Sequence, residues 1–141
     1  MIRPAPAIRH ARSRQGTLTR SVQKDPLRCG NIVEASALDG DIACGSLPEY
    51  SLYIPGLNND GHDTGVAFAD RWLERKMAPL LRNPNFMTGT LVIVTFDESE
   101  GYGANRVFTA LVGDAVRPGS VVTAALTHYS LLRLVEDNWT L

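Results

Sequence analysis

The apolar positions of this chain fall into two periodicities. Leu91-Val92-Ile93-Val94 runs without polar interruption into Thr95-Phe96-Asp97-Glu98. A short β-branched run lacking polar alternation predicts a strand covered on both faces, the pattern of a parallel sheet. Val66, Ala69, Trp72, Leu73, Met77, Leu80 and Leu81 instead recur at three- and four-residue intervals, which predicts an amphipathic helix capped by Asp63 or Thr64. Beyond Asn83, Pro84 bars its continuation. Asn31 to Leu38 reads as a weak helix, and Ser51-Leu52-Tyr53-Ile54 as a short strand stopped by Pro55-Gly56. A Gly/Asn loop from Ser99 to Asn105 leads to a third strand around Val107 to Val112, and Pro118-Gly119 marks a turn. Leu131, Leu132, Val135 and Trp139 share one face of a last helix that begins near Thr127. Strand, helix, strand, loop, strand, helix is an α/β order, with Trp72, Phe96 and Trp139 expected in the core.

Residues 1–20 break the pattern. They carry Arg3, Arg9, Arg12, Arg14 and Arg20, prolines at 4 and 6, no acidic residue and no apolar block. No secretory signal is legible there, and the two prolines oppose the amphipathic helix of a transit peptide. The segment is expected to be a disordered, Arg-rich extension, with the folded portion spanning 21–141. A 141-residue chain with 44% hydrophobic and 21% charged residues has the composition of one globular domain. Its net charge of −1 creates no field to recruit nucleic acid, and no apolar stretch reaches the ~20 residues that span a bilayer. The expected partner is therefore a small molecule. Cys29 and Cys44 lack C-x-x-C spacing, so zinc ligation is not expected, while a single disulfide between them stays open.

Chemistry concentrates in two loops. In parallel sheets, function sits at the carboxyl ends of strands, where the sequence puts Asp97 and Glu98. Adjacent carboxylates repel unless a metal ion or a proton compensates them. After the earlier strand, Asn59, Asp60 and His62 offer oxygen and imidazole donors in one short loop. If both strands belong to one parallel sheet, the two loops open on the same edge. A mixed His and carboxylate shell suits zinc, manganese or iron better than calcium. The plainer reading is an acidic turn after one strand, and after the other an Asx turn with a solvent-facing His62. His128, in Thr127-His128-Tyr129-Ser130, stands at a helix N-terminus, where it suits an anion or bonds a backbone carbonyl. Arg106 and Arg117 flank the third strand as solvated groups or phosphate contacts. No G-x-S-x-G, P-loop or G-x-G-x-x-G follows a strand.

Four blocks occur in order: Leu47-Pro48-Glu49-Tyr50-Ser51-Leu52-Tyr53-Ile54-Pro55, Asn58-Asn59-Asp60-Gly61-His62-Asp63-Thr64, Thr95-Phe96-Asp97-Glu98-Ser99 and Thr127-His128-Tyr129-Ser130-Leu131-Leu132-Arg133. Together they resemble the C-terminal part of the phosphoesterase family that includes fungal secreted acid phosphatases and bacterial phospholipase C-type enzymes. The resemblance implies an alkaline-phosphatase-like parallel sheet flanked by helices, present as a C-terminal fragment. It also implies hydrolysis of a small phosphate ester with the help of one divalent metal, by way of a phospho-enzyme intermediate. His62 and Asp97 would belong to the metal and phosphate site, with Glu98 beside Asp97 as a metal ligand. Asn59 and Asp60 would stand with His62 around phosphate, and His128 matches the family's histidine before the last helix. The nucleophile and an early metal ligand of the family fall in a half that should precede residue 21, so no residue here is expected as nucleophile. The alternative is a catalytically inactive remnant that keeps a phosphate or metal site, or structure alone. Secretion is implied by resemblance only.

Overall fold

The structure, a computed structural model, describes residues 24–101 and 103–141 in full and residues 8–12 as backbone. It divides into two units, Met1–Met87 and Thr88–Leu141.

In the first unit three parallel strands, β1 (Ile8–Arg12), β2 (Ile32–Glu34) and β3 (Tyr50–Ile54), line up in the order β2-β1-β3. Ala11 stands opposite both Val33 and Tyr53. The central strand thus comes from the stretch expected to be disordered; the rest of that extension lies outside the described residues. A parallel edge to either side supplies backbone partners that the composition of residues 1–20 does not reveal. Helix α1 (Pro26–Gly30) starts where the Asp25 carboxylate accepts from Leu27 N at 3.0 Å and Arg28 N at 3.2 Å, with Pro26 in the first helical turn. The expected helix over Asn31–Leu38 is replaced by β2 and then α2 (Ala37–Ala43). Ile32 and Val33 are β-branched, and a sheet partner outweighs their weak helical pattern.

Helix α3 (Val66–Leu81) follows the predicted periodicity, but its N-cap is Gly65 rather than Asp63 or Thr64. Gly65 takes φ 80°, which a residue with a Cβ rarely adopts. Trp72 of α3 stacks on Tyr53 of β3 with ring centroids 6.2 Å apart. Lys76, one turn on, lies 5.6 Å from the Tyr53 ring and donates to Asp39 Oδ1 of α2 at 2.7 Å. These contacts tie helix α3 to the sheet and to α2. Ala69 is the one described apolar residue that is buried. A short helix α4 (Pro84–Met87) begins at the proline that ends α3.

In the second unit, β4 (Val92–Thr95) pairs antiparallel with β5 (Thr109–Val112), from Val92↔Val112 to Thr95↔Thr109. This corrects the expectation of a parallel strand covered on both faces: Val92, Ile93 and Val94 are only half-buried. Parallel neighbours need a crossover, usually a helix, whereas the described residues of the connection from 96 to 108 contain no helix. Gly113 follows the pair, at a position where a Cβ would stand 2.5 Å from the Thr90 carbonyl oxygen. Phe96, expected in the core, is 42% exposed, and Trp72 and Trp139 are half-buried. Helix α5 (His128–Trp139) starts as predicted, with Thr127 as N-cap donating its N–H to Ser130 Oγ at 3.1 Å. No helix among the described residues is long and apolar enough to cross a membrane. The architecture is mixed helix and strand.

Candidate functional site

Strand β4 delivers its acidic pair into an exposed turn whose backbone is held by three side chains. His128 Nε2 lies 2.9 Å from the Asp97 carbonyl oxygen. Glu98 N donates to Asp97 Oδ1 at 3.0 Å, and Ser99 N donates to Asn105 Oδ1 at 2.8 Å. Below the turn, the hydroxyls of Thr95 and Thr109 meet at 2.8 Å across the strand pair. A carbonyl oxygen only accepts, so His128 carries its proton on Nε2. The orientation of the Asp97–Glu98 segment is therefore set from α5 and from the far end of its own loop. Both carboxylates remain accessible: Asp97 and Glu98 are exposed.

The second loop lies in the first unit, after β3. His62 N donates to Asp60 Oδ1 at 2.9 Å, an Asx-type closure, and Thr64 Oγ1 donates to the Asn58 carbonyl at 2.7 Å. Asp63 N bonds the Leu57 carbonyl at 3.0 Å, and Gly61 adopts φ 101°. This local bonding is the capping chemistry that the Asn and Asp residues foretell. It also aims the imidazole, because His62 Nδ1 sits 2.8 Å from Asp63 Oδ1 with the side chain 72% exposed. With Nδ1–H donating to that carboxylate, a neutral ring has its lone pair on Nε2. Asn59 and Asp60 are half-buried in the same loop.

The structure thus gathers Asp97, Glu98 and His128 around one turn, and Asn59, Asp60 and His62 in one loop. It does not place the two loops on one edge of a parallel sheet, since β3 and β4 belong to different sheets. Asp97 and Glu98 alone offer two donors where a zinc or manganese shell takes four or more. Among the described residues no three His, Cys, Asp or Glu side chains gather to hold a metal, so this chain's described donors do not complete a metal site. Cys29 and Cys44 are exposed free thiols.

Two participants escaped the sequence reading. Asn105 takes φ 45°, a left-handed conformation that Asn tolerates better than most residues, and closes the loop on Ser99. Thr109 pairs with Thr95. The signal for Asn105 lay in Gly101-Tyr102-Gly103-Ala104-Asn105, whose glycines mark a loop without telling which residue clamps it.

Residues 10–141 match the phosphoesterase family. A probable acid phosphatase of Kluyveromyces lactis is 40% identical over 86% of this chain and 30% of its own length. An acid phosphatase of Aspergillus fumigatus is 36% identical over 86% of this chain and 28% of its own length. A phosphatidylinositol-3-phosphatase of Mycobacterium tuberculosis is 35% identical over 64% of this chain and 30% of its own length. The chain spans about 30% of the length of these curated relatives. No solved structure gives a significant match. The extent of the match, which takes in the 58–64 loop, the acidic turn and the start of α5, makes this chain a member of the phosphoesterase family.

Proposed function

We propose that this chain is the His- and carboxylate-bearing portion of a phosphate-ester hydrolase that acts on small phosphate esters as an acid phosphatase does. The family match over residues 10–141 carries this reading. The complete enzyme would have the alkaline-phosphatase-like parallel sheet, be secreted, and use one divalent cation. Asp97 and Glu98 would contribute two of that cation's ligands, with the others coming from outside the described residues. Such an ion supplies Lewis-acid polarisation of a phosphoryl oxygen. The chain's own groups have distinct tasks. Asn59 binds a phosphoryl oxygen through its side-chain amide, His62 accepts a phosphate O–H at Nε2 with Asp63 fixing the imidazole direction, and Asp60 fixes the loop. Asp97 and Glu98 present oxygens at a turn whose position His128 sets. The attacking hydroxyl lies outside the described residues.

The test is a chimera in which this chain replaces the matching part of the Kluyveromyces lactis acid phosphatase. Hydrolysis of p-nitrophenyl phosphate by the chimera, and none above background by the 141-residue chain alone, is the expected result. A folded chimera without turnover would establish the alternative, an inactive remnant.

A further inference from the structure

We infer that Asn105 is a positioning residue: it fixes the direction in which Asp97 and Glu98 present their carboxylates. Its catalytic consequence rests on the hydrolase reading above. The inference begins from an imbalance in how the acidic turn is held. On its upstream side, the Asp97 carbonyl accepts from His128 Nε2 at 2.9 Å, an anchor supplied by a twelve-residue helix. On its downstream side, the Ser99 N–H has Asn105 Oδ1 as its acceptor, at 2.8 Å across six residues of loop. Between the two anchors lie the Glu98 side chain and a single peptide amide, Glu98 N, which donates to Asp97 Oδ1 at 3.0 Å. Releasing Ser99 N frees the ψ of Glu98 and the φ of Ser99, the torsions nearest the Glu98 carboxylate, while the His128 anchor holds only residue 97.

The conformation of Asn105 points the same way. At φ 45° it occupies a region unfavourable for most residues with a Cβ, so the position carries a backbone cost. Glycine would remove that cost and alanine would keep it. Neither could accept the Ser99 N–H. Aspartate could, and it tolerates the left-handed region as Asn does. The four residues therefore separate the hydrogen bond from the backbone requirement. If Asn105 merely lets the chain turn, glycine is the equal of asparagine there. If it positions the acidic pair, glycine fails along with alanine.

The experiment measures exchange of the Ser99 and Glu98 amide protons by NMR in the full 141-residue chain and in its Asn105→Gly, Asn105→Ala and Asn105→Asp variants. Loss of one hydrogen bond corresponds to roughly a fivefold change. Ser99 exchange is expected to accelerate about fivefold or more in the Gly and Ala variants and to stay near the unsubstituted rate in the Asp variant. Unchanged Ser99 exchange in Asn105→Gly overturns the inference. Turnover is then read in the chimera: Asn105→Gly should lower kcat roughly tenfold or more with KM and melting temperature little changed, because misplacement of reacting groups acts on the chemical step. An active chimera whose kcat ignores Asn105→Gly also overturns it. An unsubstituted chimera without turnover refutes the hydrolase reading instead, and amide exchange still decides whether Asn105 holds the turn.

Discussion

His128 Nε2 and the carbonyl oxygen of Asp97 stand 2.9 Å apart, across 31 residues of chain. The bond joins the first residue of α5 to the residue that opens the acidic turn, and it runs to backbone, so it controls where Asp97 sits without using either of its carboxylate oxygens. It also fixes the tautomer of His128. The acidic turn and α5 therefore form one structural unit, and damage to His128 should be felt at Asp97 and Glu98.

His128→Ala in the chimera should lower kcat by on the order of 10- to 100-fold, the cost of a small displacement of positioned groups. Stability should fall by about 1 kcal/mol, the net worth of an exposed hydrogen bond. Kinetics with p-nitrophenyl phosphate and thermal melts check both. An unchanged kcat would show that the carbonyl bond does not matter to the site.

Asp97→Asn and His62→Ala should each remove most of the chimera's turnover while leaving its melting temperature nearly unchanged, because both residues are exposed. The expected fall for His62→Ala is about 10²- to 10⁴-fold, the usual range for a group that handles a proton in the reaction. Turnover should also vanish on treatment with a chelator and return with zinc or manganese, and Asp97→Asn should need about tenfold more metal for that return. Turnover that survives exhaustive chelation would remove the cation from the reading.

Gly113→Ala should destabilise the second unit. The added methyl would meet the Thr90 carbonyl oxygen at 2.5 Å, and that oxygen belongs to backbone at the entry to β4. Overpacking of this kind costs about 1–3 kcal/mol, visible as a lower melting temperature by circular dichroism. A stability equal to that of the unsubstituted chain would mean the β4–β5 end yields at no cost.

Replacing Cys29 and Cys44 together by serine should change stability by less than about 0.5 kcal/mol, since both are exposed and unpaired. A thiol reagent should titrate both in the native chain. Protection of either thiol, or a large loss of stability in the double variant, would indicate a pairing between them.

Local structure was legible wherever a strong periodicity met a clear stop. Helix α3 could be read from Val66, Ala69, Trp72 and their neighbours, β3 from Ser51–Ile54 before Pro55, and the start of α5 from Thr127 and the apolar face behind it. These signals are short-range, because a cap, a proline and a 3.6-residue period act within a turn or two. The family resemblance was legible for a similar reason: its blocks are runs of residue types written in the chain, and the match over residues 10–141 bears it out. What the sequence withheld was pairing. Ile8–Arg12 became the central strand although its Arg-rich surroundings read as a tail, and Val92–Thr95 paired antiparallel although its unbroken apolar run read as parallel. Strand partners are chosen by segments far away in sequence and by the length of the connection, neither of which is encoded in the strand itself. Likewise, the carbonyl bond of His128 and the Ser99 bond of Asn105 were decided by where the acidic turn comes to rest. The sequence determined which residues stand in the blocks that resemble the family. Only the tertiary structure decided which of them hold the turn and which stand exposed on it, because that depends on contacts that exist only once the chain has come back on itself.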